Sequence, residues 1–367
     1  MSTIRFVHAD HLRLAGSPSG IADAPAWLRQ LACDSVRSSV RNVIEAAVSS
    51  DAEFLLIAGR ITESSEDLEA AINWLDGQFE ALRRNGVRVV ATARNSHEAD
   101  LLRTVCDVVV QHGESLLISA DVNQTWRLAP SSQINFANKD LVITFDHVRP
   151  PEGCTTYTVV PSMQPSADRR SVSVGGHLSL SAGAVQPITP TESWAGGCVI
   201  VDANVASREI RSEFLECDVL RYATEELNLT SPVTAEALTN EIARASEDLR
   251  KNTSQTVIVD WRISAELLTE LSNVSQLDET SLLIRIRGDL QAGHRGSWPR
   301  RVTFCVGSRL QVNSTGSEAV EEFVDVVSGA VSTFDVDSFN GQHMFVRGGK
   351  CVDASLVAGL QLLGRVA

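Results

Sequence analysis

The chain has 367 residues, 43% of them hydrophobic and 21% charged, enough to bury a real core as two domains or one large one. Collagen, low-complexity disorder and coiled coil are excluded by that composition. With 32 Lys and Arg against 46 Asp and Glu, the formal charge of -14 repels polyanions, so any contact with DNA is expected to be local.

Seven Cys stand singly from Cys33 to Cys351 without a C-x-x-C pair, which predicts reduced thiols in a cytoplasmic protein, not a disulfide frame or zinc site. Met1–Leu14 lacks the features of a secretory signal and the apolar runs are far short of a membrane span, so a soluble intracellular chain is expected.

In chain order, Ile4–His8 is a short apolar run that predicts a strand, and Val36, Val40, Val43, Ile44 and Ala47 recur at helical spacing. Phe54–Ala58 reads as a buried strand. Ser64 and Asp67 predict a capped helix start before Leu68, Ile72, Leu75, Phe79 and Leu82, and Gly86 stands where that helix would end. A strand at Val87–Ala93, a short helix at Ala99–Val105 and a strand at Val108–Val110 complete an alternating series. Such a series predicts a mainly parallel sheet covered by helices.

From Leu116 the pattern changes to short strands separated by turn residues: Leu116–Ala120, Leu141–Phe145, Tyr157–Val160, Val172–Leu180, Cys198–Asp202 and Ile210–Leu220. These predict a largely antiparallel second half closing a sandwich against the first sheet. After Tyr222, Ala235, Leu238, Ile242, Ala245 and Leu249 share a helix face, and strands are predicted at Val257–Trp261, Leu282–Ile286 and Val302–Val306. Helical patterns recur at Ala319–Val327 and Leu356–Leu363. The boundary falls near Tyr222–Ser231, giving domains 1–222 and 223–367.

In sheets of this order functional residues collect at the carboxyl ends of parallel strands. Four ends stand out: His8-Ala9-Asp10-His11-Leu12-Arg13-Leu14, then Asp51 to Arg60, then Arg94-Asn95-Ser96-His97, then Tyr157 to Gln164. In these segments, and in Gly183 to Pro187 and Gly197 to Asp202, the chain resembles the calcineurin-like metallophosphoesterases, in particular their bacterial DNA-repair exonuclease branch. The resemblance covers roughly the first three-quarters of the chain. It implies an α/β fold, a four-layer α/β/β/α sandwich followed by a smaller α+β capping-like domain.

The family's motif letters are changed. Aligned by frame, the resemblance places His11 at the first metal-binding Asp, Arg13 at the first His, Arg60 at the bridging Asp and Ser96 at the His that assists the reaction. Pro161, Ser162 and Gln164 replace the final Gly, His and His, while Asn95 is kept. Two-metal hydrolysis needs oxygen and imidazole ligands around a pair of divalent ions. Arg60 is expected to be the most damaging change: at ~4 Å and an effective dielectric of ~20, its charge against a divalent ion costs ~8 kcal/mol.

The leading expectation is a catalytically degenerate phosphoesterase without cofactor, retained as a scaffold subunit. The resemblance implies an SMC-like or AAA-type ATPase partner docking through the C-terminal region, and self-association as a homodimer. One alternative is an active exonuclease with a rebuilt site of His11, Asn95, His97 and His147 holding Mn or another divalent metal; Asp10 and His11, as strand neighbours, would point to opposite sides. A further alternative is a phosphate or DNA-end sensor using Arg13, Arg60 and Arg94. Against it, these arginines are expected to pair with Asp10, Glu63 or Glu98. His294 to Arg301 is a basic stretch whose Trp298 offers a stacking surface for a base.

Overall fold

The computed structural model describes residues 3–119, 125–130, 140–145, 154–165, 176–227, 235–264, 279–291 and 296–305. Its first elements are β1 (Thr3–Asp10), α1 (Ala26–Ser49), β2 (Phe54–Ala58), α2 (Leu68–Arg84), β3 (Arg88–Thr92), α3 (Ser96–Leu102) and β4 (Val108–Val110). Then come β5 (Glu114–Ser119), β6 (Trp126–Pro130), β7 (Asp140–Thr144), β8 (Thr155–Val159), β9 (His177–Leu180), β10 (Gly197–Asn204), β11 (Glu209–Glu216) and β12 (Leu220–Leu227). The series ends with α4 (Ala235–Asn252), β13 (Thr256–Ser264), α5 (Glu279–Gln291) and β14 (Ser297–Cys305).

A six-stranded sheet runs β11-β10-β1-β2-β3-β4. Strands β1 to β4 are parallel, as the alternating sequence predicts, and β10 and β11 add on antiparallel beside β1. The second sheet, β6-β5-β7-β8-β9, has five strands. Its β5-β6 and β5-β7 pairs are antiparallel, as expected of this half, but β7-β8 and β8-β9 are parallel, and β10 and β11, expected in this second half, join the first sheet instead.

Two apolar layers hold these sheets. Val7 and Ala9 of β1 join Leu55 and Ile57 of β2 beneath Val36, Val40 and Val43 of α1 and Leu75 and Phe79 of α2. On the other side, Ile4, Phe6, Phe54 and Leu56 pack on Leu116, Ile118, Ile143 and Tyr157. The alternation follows from the period of two along a strand. Leu117, Val142 and Thr156, between the inward residues of the second sheet, are buried as well.

Three local expectations are corrected. Leu282–Ile286 lies inside α5, where Leu282 and Ile286 are buried four residues apart while Ile284 is 65% exposed; the run satisfies the helical period better than the strand period. Asp67 caps α2 without a side-chain hydrogen bond, and Ser64 instead accepts the Glu66 N–H at 3.2 Å. Trp298 offers no open stacking face: it is 3% exposed and lies under the Arg287 guanidinium, 4.9 Å from its ring centroid.

The third sheet, β12-β13-β14, has three strands. Leu220, Tyr222, Ile258 and Trp298 form a core with Leu28 and Ala32 of α1. The described residues of 3–227, 235–262, 279–291 and 296–303 belong to one compact unit. Among the described residues, no helix is long and apolar enough to cross a membrane.

Candidate functional site

The carboxyl end of β1 continues beside that of β2. His11 N–H donates to the Ala58 carbonyl at 2.9 Å, Arg13 N–H to Arg60 at 3.3 Å and Leu14 N–H to Ile61 at 2.7 Å. The path demands positive φ at His11 (48°), Arg13 (53°) and Ala15 (69°). Such strain costs about 1–3 kcal/mol per residue and persists only where surroundings enforce it. Gly59 is one enforcing element: at its φ of 72° a Cβ would lie 2.8 Å from His11 Cε1, so only glycine lets the ring settle there.

His11 has left the strand geometry expected for it. Its Nδ1 accepts the Arg60 N–H at 3.2 Å, which assigns the proton of the neutral ring to Nε2. Among the described residues that buried atom has no hydrogen-bond partner. Burial pushes the His11 pKa down against the pull of Asp10, with Arg13 and Arg60 acting in the same direction as burial.

The unfolded ring, with pKa near 6.5, therefore takes up its proton before the folded one as the solution is acidified, and stability falls. Asn tolerates positive φ and keeps an acceptor, so His11→Asn is expected to shrink the loss of Tm between about pH 7.5 and about pH 5.5. Thermal unfolding across that range reads it, and an unchanged pH slope would count against the lowered His11 pKa.

Beside His11 lies a closed set of charges. The Arg13 side chain is 6% exposed and its Nη1 donates to both Glu192 oxygens, at 2.8 and 2.9 Å, while its Nε donates to Glu63. Arg60 donates to the other Glu63 oxygen at 3.3 Å. Although burial pushes the Glu63 carboxyl up, Arg13 and then Arg60 outweigh it and hold the pKa below the usual value. Two cations meet two anions, each carboxylate held by charge-assisted hydrogen bonds.

Arg60 is not the buried intruder expected from the sequence, since its side chain is 53% exposed. Arg13 occupies the interior. The third arginine stands in its own pair: Arg94 Nε lies 3.0 Å from the buried Glu98 carboxylate, which also accepts the Arg94 N–H at 2.8 Å. Asn95 Oδ1 accepts the Glu98 N–H at 2.9 Å, so this kept residue caps α3. Ser96 and His97 are exposed on the first turn of that helix.

A second polar group lies deeper, between the sheets. His8 and Asp10 are fully buried on the β1 face that carries Ile4 and Phe6. His8 Nε2 is 2.8 Å from Asp10 Oδ1, and Nδ1 is 2.8 Å from the Tyr157 hydroxyl. Asp10 Oδ2 accepts the Ala182 N–H at 2.9 Å and the Ser181 hydroxyl at 3.2 Å. Burial, followed by the charge of Asp10, pushes the Tyr157 pKa well up, so its hydroxyl stays protonated and donates to His8.

Thus Asp10 does not pair with an arginine. Ser162 and Gln164 reach this region through their backbones, their carbonyls accepting the Ser181 hydroxyl at 3.3 and 3.4 Å. His147 lies outside the described residues. Sequence reasoning missed Glu192, His8, Tyr157 and Ser181. For His8 a signal existed: residues 4, 6, 8 and 10 share one strand face, so an imidazole next to a carboxylate could be read from the period of two.

No protein-family model matches the chain. Over 90 residues, 24% of its length, the chain is 34% identical to a protein of Bacillus subtilis (strain 168) described as an uncharacterized metallophosphoesterase, YhaO. The match spans 22% of that relative. At this coarse level the likeness supports a metallophosphoesterase type of family.

Among the described residues, the side chains at these strand ends do not fit a pair of divalent ions. Arg13 places a permanent cation where the resemblance expects an imidazole, and Glu63 and Glu192 are committed to it. Among the described residues, no three His, Cys, Asp or Glu side chains gather at metal-ligand spacing. What the arrangement does chemically is to hold two strand ends and the turn carrying Glu192 in one fixed geometry.

Proposed function

We propose that this chain is a catalytically degenerate metallophosphoesterase, similar in frame to the DNA-repair exonucleases, which acts as a binding or scaffold subunit. The observation that carries the reading is the closed set of Arg13, Arg60, Glu63 and Glu192 at the ends of β1 and β2. Each charge is met from within the chain, so the carboxylates that would attract a divalent ion are already neutralised. Burial on both faces of the second sheet supports the four-layer α/β/β/α arrangement.

In this reading the division lies at 222/223, and the α+β part beyond it docks an SMC-like or AAA-type ATPase in the cytoplasm. The full chain assayed with Mn and a phosphodiester is expected to give no turnover above a metal-free control. Turnover abolished by Asn95→Ala would contradict the reading and favour the rebuilt site of His11, Asn95, His97 and His147.

A second reading, the phosphate or DNA-end sensor, draws on the exposed Arg60 and Arg94 and on the buried His11 Nε2 donor without an acceptor among the described residues. Duplex-end binding measured on the same preparation separates the two. The scaffold reading expects affinity indifferent to Arg60→Ala, and the sensor reading expects salt-sensitive affinity that this substitution weakens.

A further inference from the structure

A line of polar contacts leads from the charged centre to the three-stranded sheet. Glu192 Oε2, which accepts from Arg13 at 2.9 Å, also accepts the Ile188 N–H at 2.7 Å. The Ile188 carbonyl takes the Ser19 N–H at 2.9 Å and the Tyr222 hydroxyl at 3.4 Å. Tyr222 donates more closely to the Ser19 carbonyl, at 2.8 Å. It belongs to β12 and is buried with Ile258, Trp298 and Leu28.

The segments joined in this way are irregular. Residues 15–25 and 181–196 lie outside the named helices and strands, so their positions depend on individual backbone bonds and side-chain ties and not on a continuous ladder. The 188–192 turn has one internal backbone bond, from Glu192 N–H to the Thr189 carbonyl at 3.0 Å. Outward from Ser19, the same loop is held to α5 by Asp23, 2.5 Å from Arg287 Nη1. Gln186 clamps the Leu220 carbonyl and the Val219 N–H independently, so the start of β12 has its own anchor. Tyr222 onward is held by the ladder to β13, by the Ser19 and Ile188 contacts and by the apolar core.

We propose that the Arg13–Glu192 ion pair is a latch that seats the three-stranded sheet on α1, through the 188–192 turn, Ser19 and Tyr222. Disturbing the charged centre and loosening the sheet are then one event. The coupling is reciprocal: the same coupling free energy links loosening of β12 to Arg13 and loosening of Arg13 to β12. The latch goes beyond the function proposed above and holds whichever ligand or partner meets either end.

Hydrogen–deuterium exchange on the full chain tests it, with Glu192→Gln, Tyr222→Phe and the double variant beside the parent. Glu192→Gln is expected to speed exchange about tenfold or more in peptides from β12 and residues 15–24, with β2 and β3 unchanged. Tyr222→Phe is expected to speed exchange at residues 11–16, and the double variant to add little to the larger single effect. A rise confined to residues 188–192, additive effects of the two substitutions, or a uniform rise that includes β2 and β3 would each overturn the latch.

Discussion

Asp10→Ala is expected to destabilise the protein by about 3–5 kcal/mol, a large part of the stability of an ordinary domain. Asp10 is fully buried and accepts from His8, Ser181 and the Ala182 N–H. Removing the carboxylate orphans the His8 ring N–H and the Ala182 N–H between two packed sheets, where each lost partner costs about 1–3 kcal/mol before relaxation, while the Ser181 hydroxyl turns to the Ser162 or Gln164 carbonyl. Asp10→Asn keeps one acceptor oxygen but turns an amide toward a donor, so an intermediate loss is expected. Tyr157→Phe removes only the hydroxyl that donates to His8 and is expected to cost about 1–2 kcal/mol. Urea denaturation of the three variants gives the order, and an Asp10→Ala protein within about 1 kcal/mol of the parent would show that the group is not the polar tie between the sheets.

The second large effect lies at Arg13. Arg13→Met leaves Glu192, whose side chain is 9% exposed, as a buried anion without its cation, an expected loss of about 3–5 kcal/mol. In the double variant with Glu192→Gln the uncompensated charge is gone. Recovery of most of the loss is therefore expected. The coupling between the two sites, read from a double-mutant cycle, should be strongly non-additive. Simple addition of the two single effects would mean that the charges act separately.

Much of the frame was legible because its signals are local. Val36, Val40, Val43 and Ile44 are buried on α1, and Leu68, Ile72, Leu75, Phe79 and Leu82 on α2, as helical spacing requires. The pairing of Arg94 with Glu98 spans four residues of chain, within reach of a spacing argument. Glu192 was beyond such reasoning, since it meets Arg13 across 179 residues on an irregular turn.

Direction was harder to read than position. The sequence places both Arg13 and Arg60 at strand ends, but which one turns inward is decided by the positive φ of Arg13 and by the placement of Glu63 and Glu192 around it. The expected ~8 kcal/mol conflict at Arg60 therefore moves to Arg13, because an exposed guanidinium is screened by water. The strand expected at Leu282–Ile286 failed for a similar reason: in a short apolar run of L-L-I-R-I, both periods fit the letters and packing chooses between them.

In the proposed reading, the internal ion pairs of Arg13, Arg60, Glu63 and Glu192 stand where the resemblance to metallophosphoesterases would place two metals. Equilibrium dialysis of the full chain against Mn, followed by elemental analysis of metal per protein, tests it most directly. Well under one ion per chain is the predicted result, and a stoichiometry of about two, as a two-metal centre requires, would contradict it.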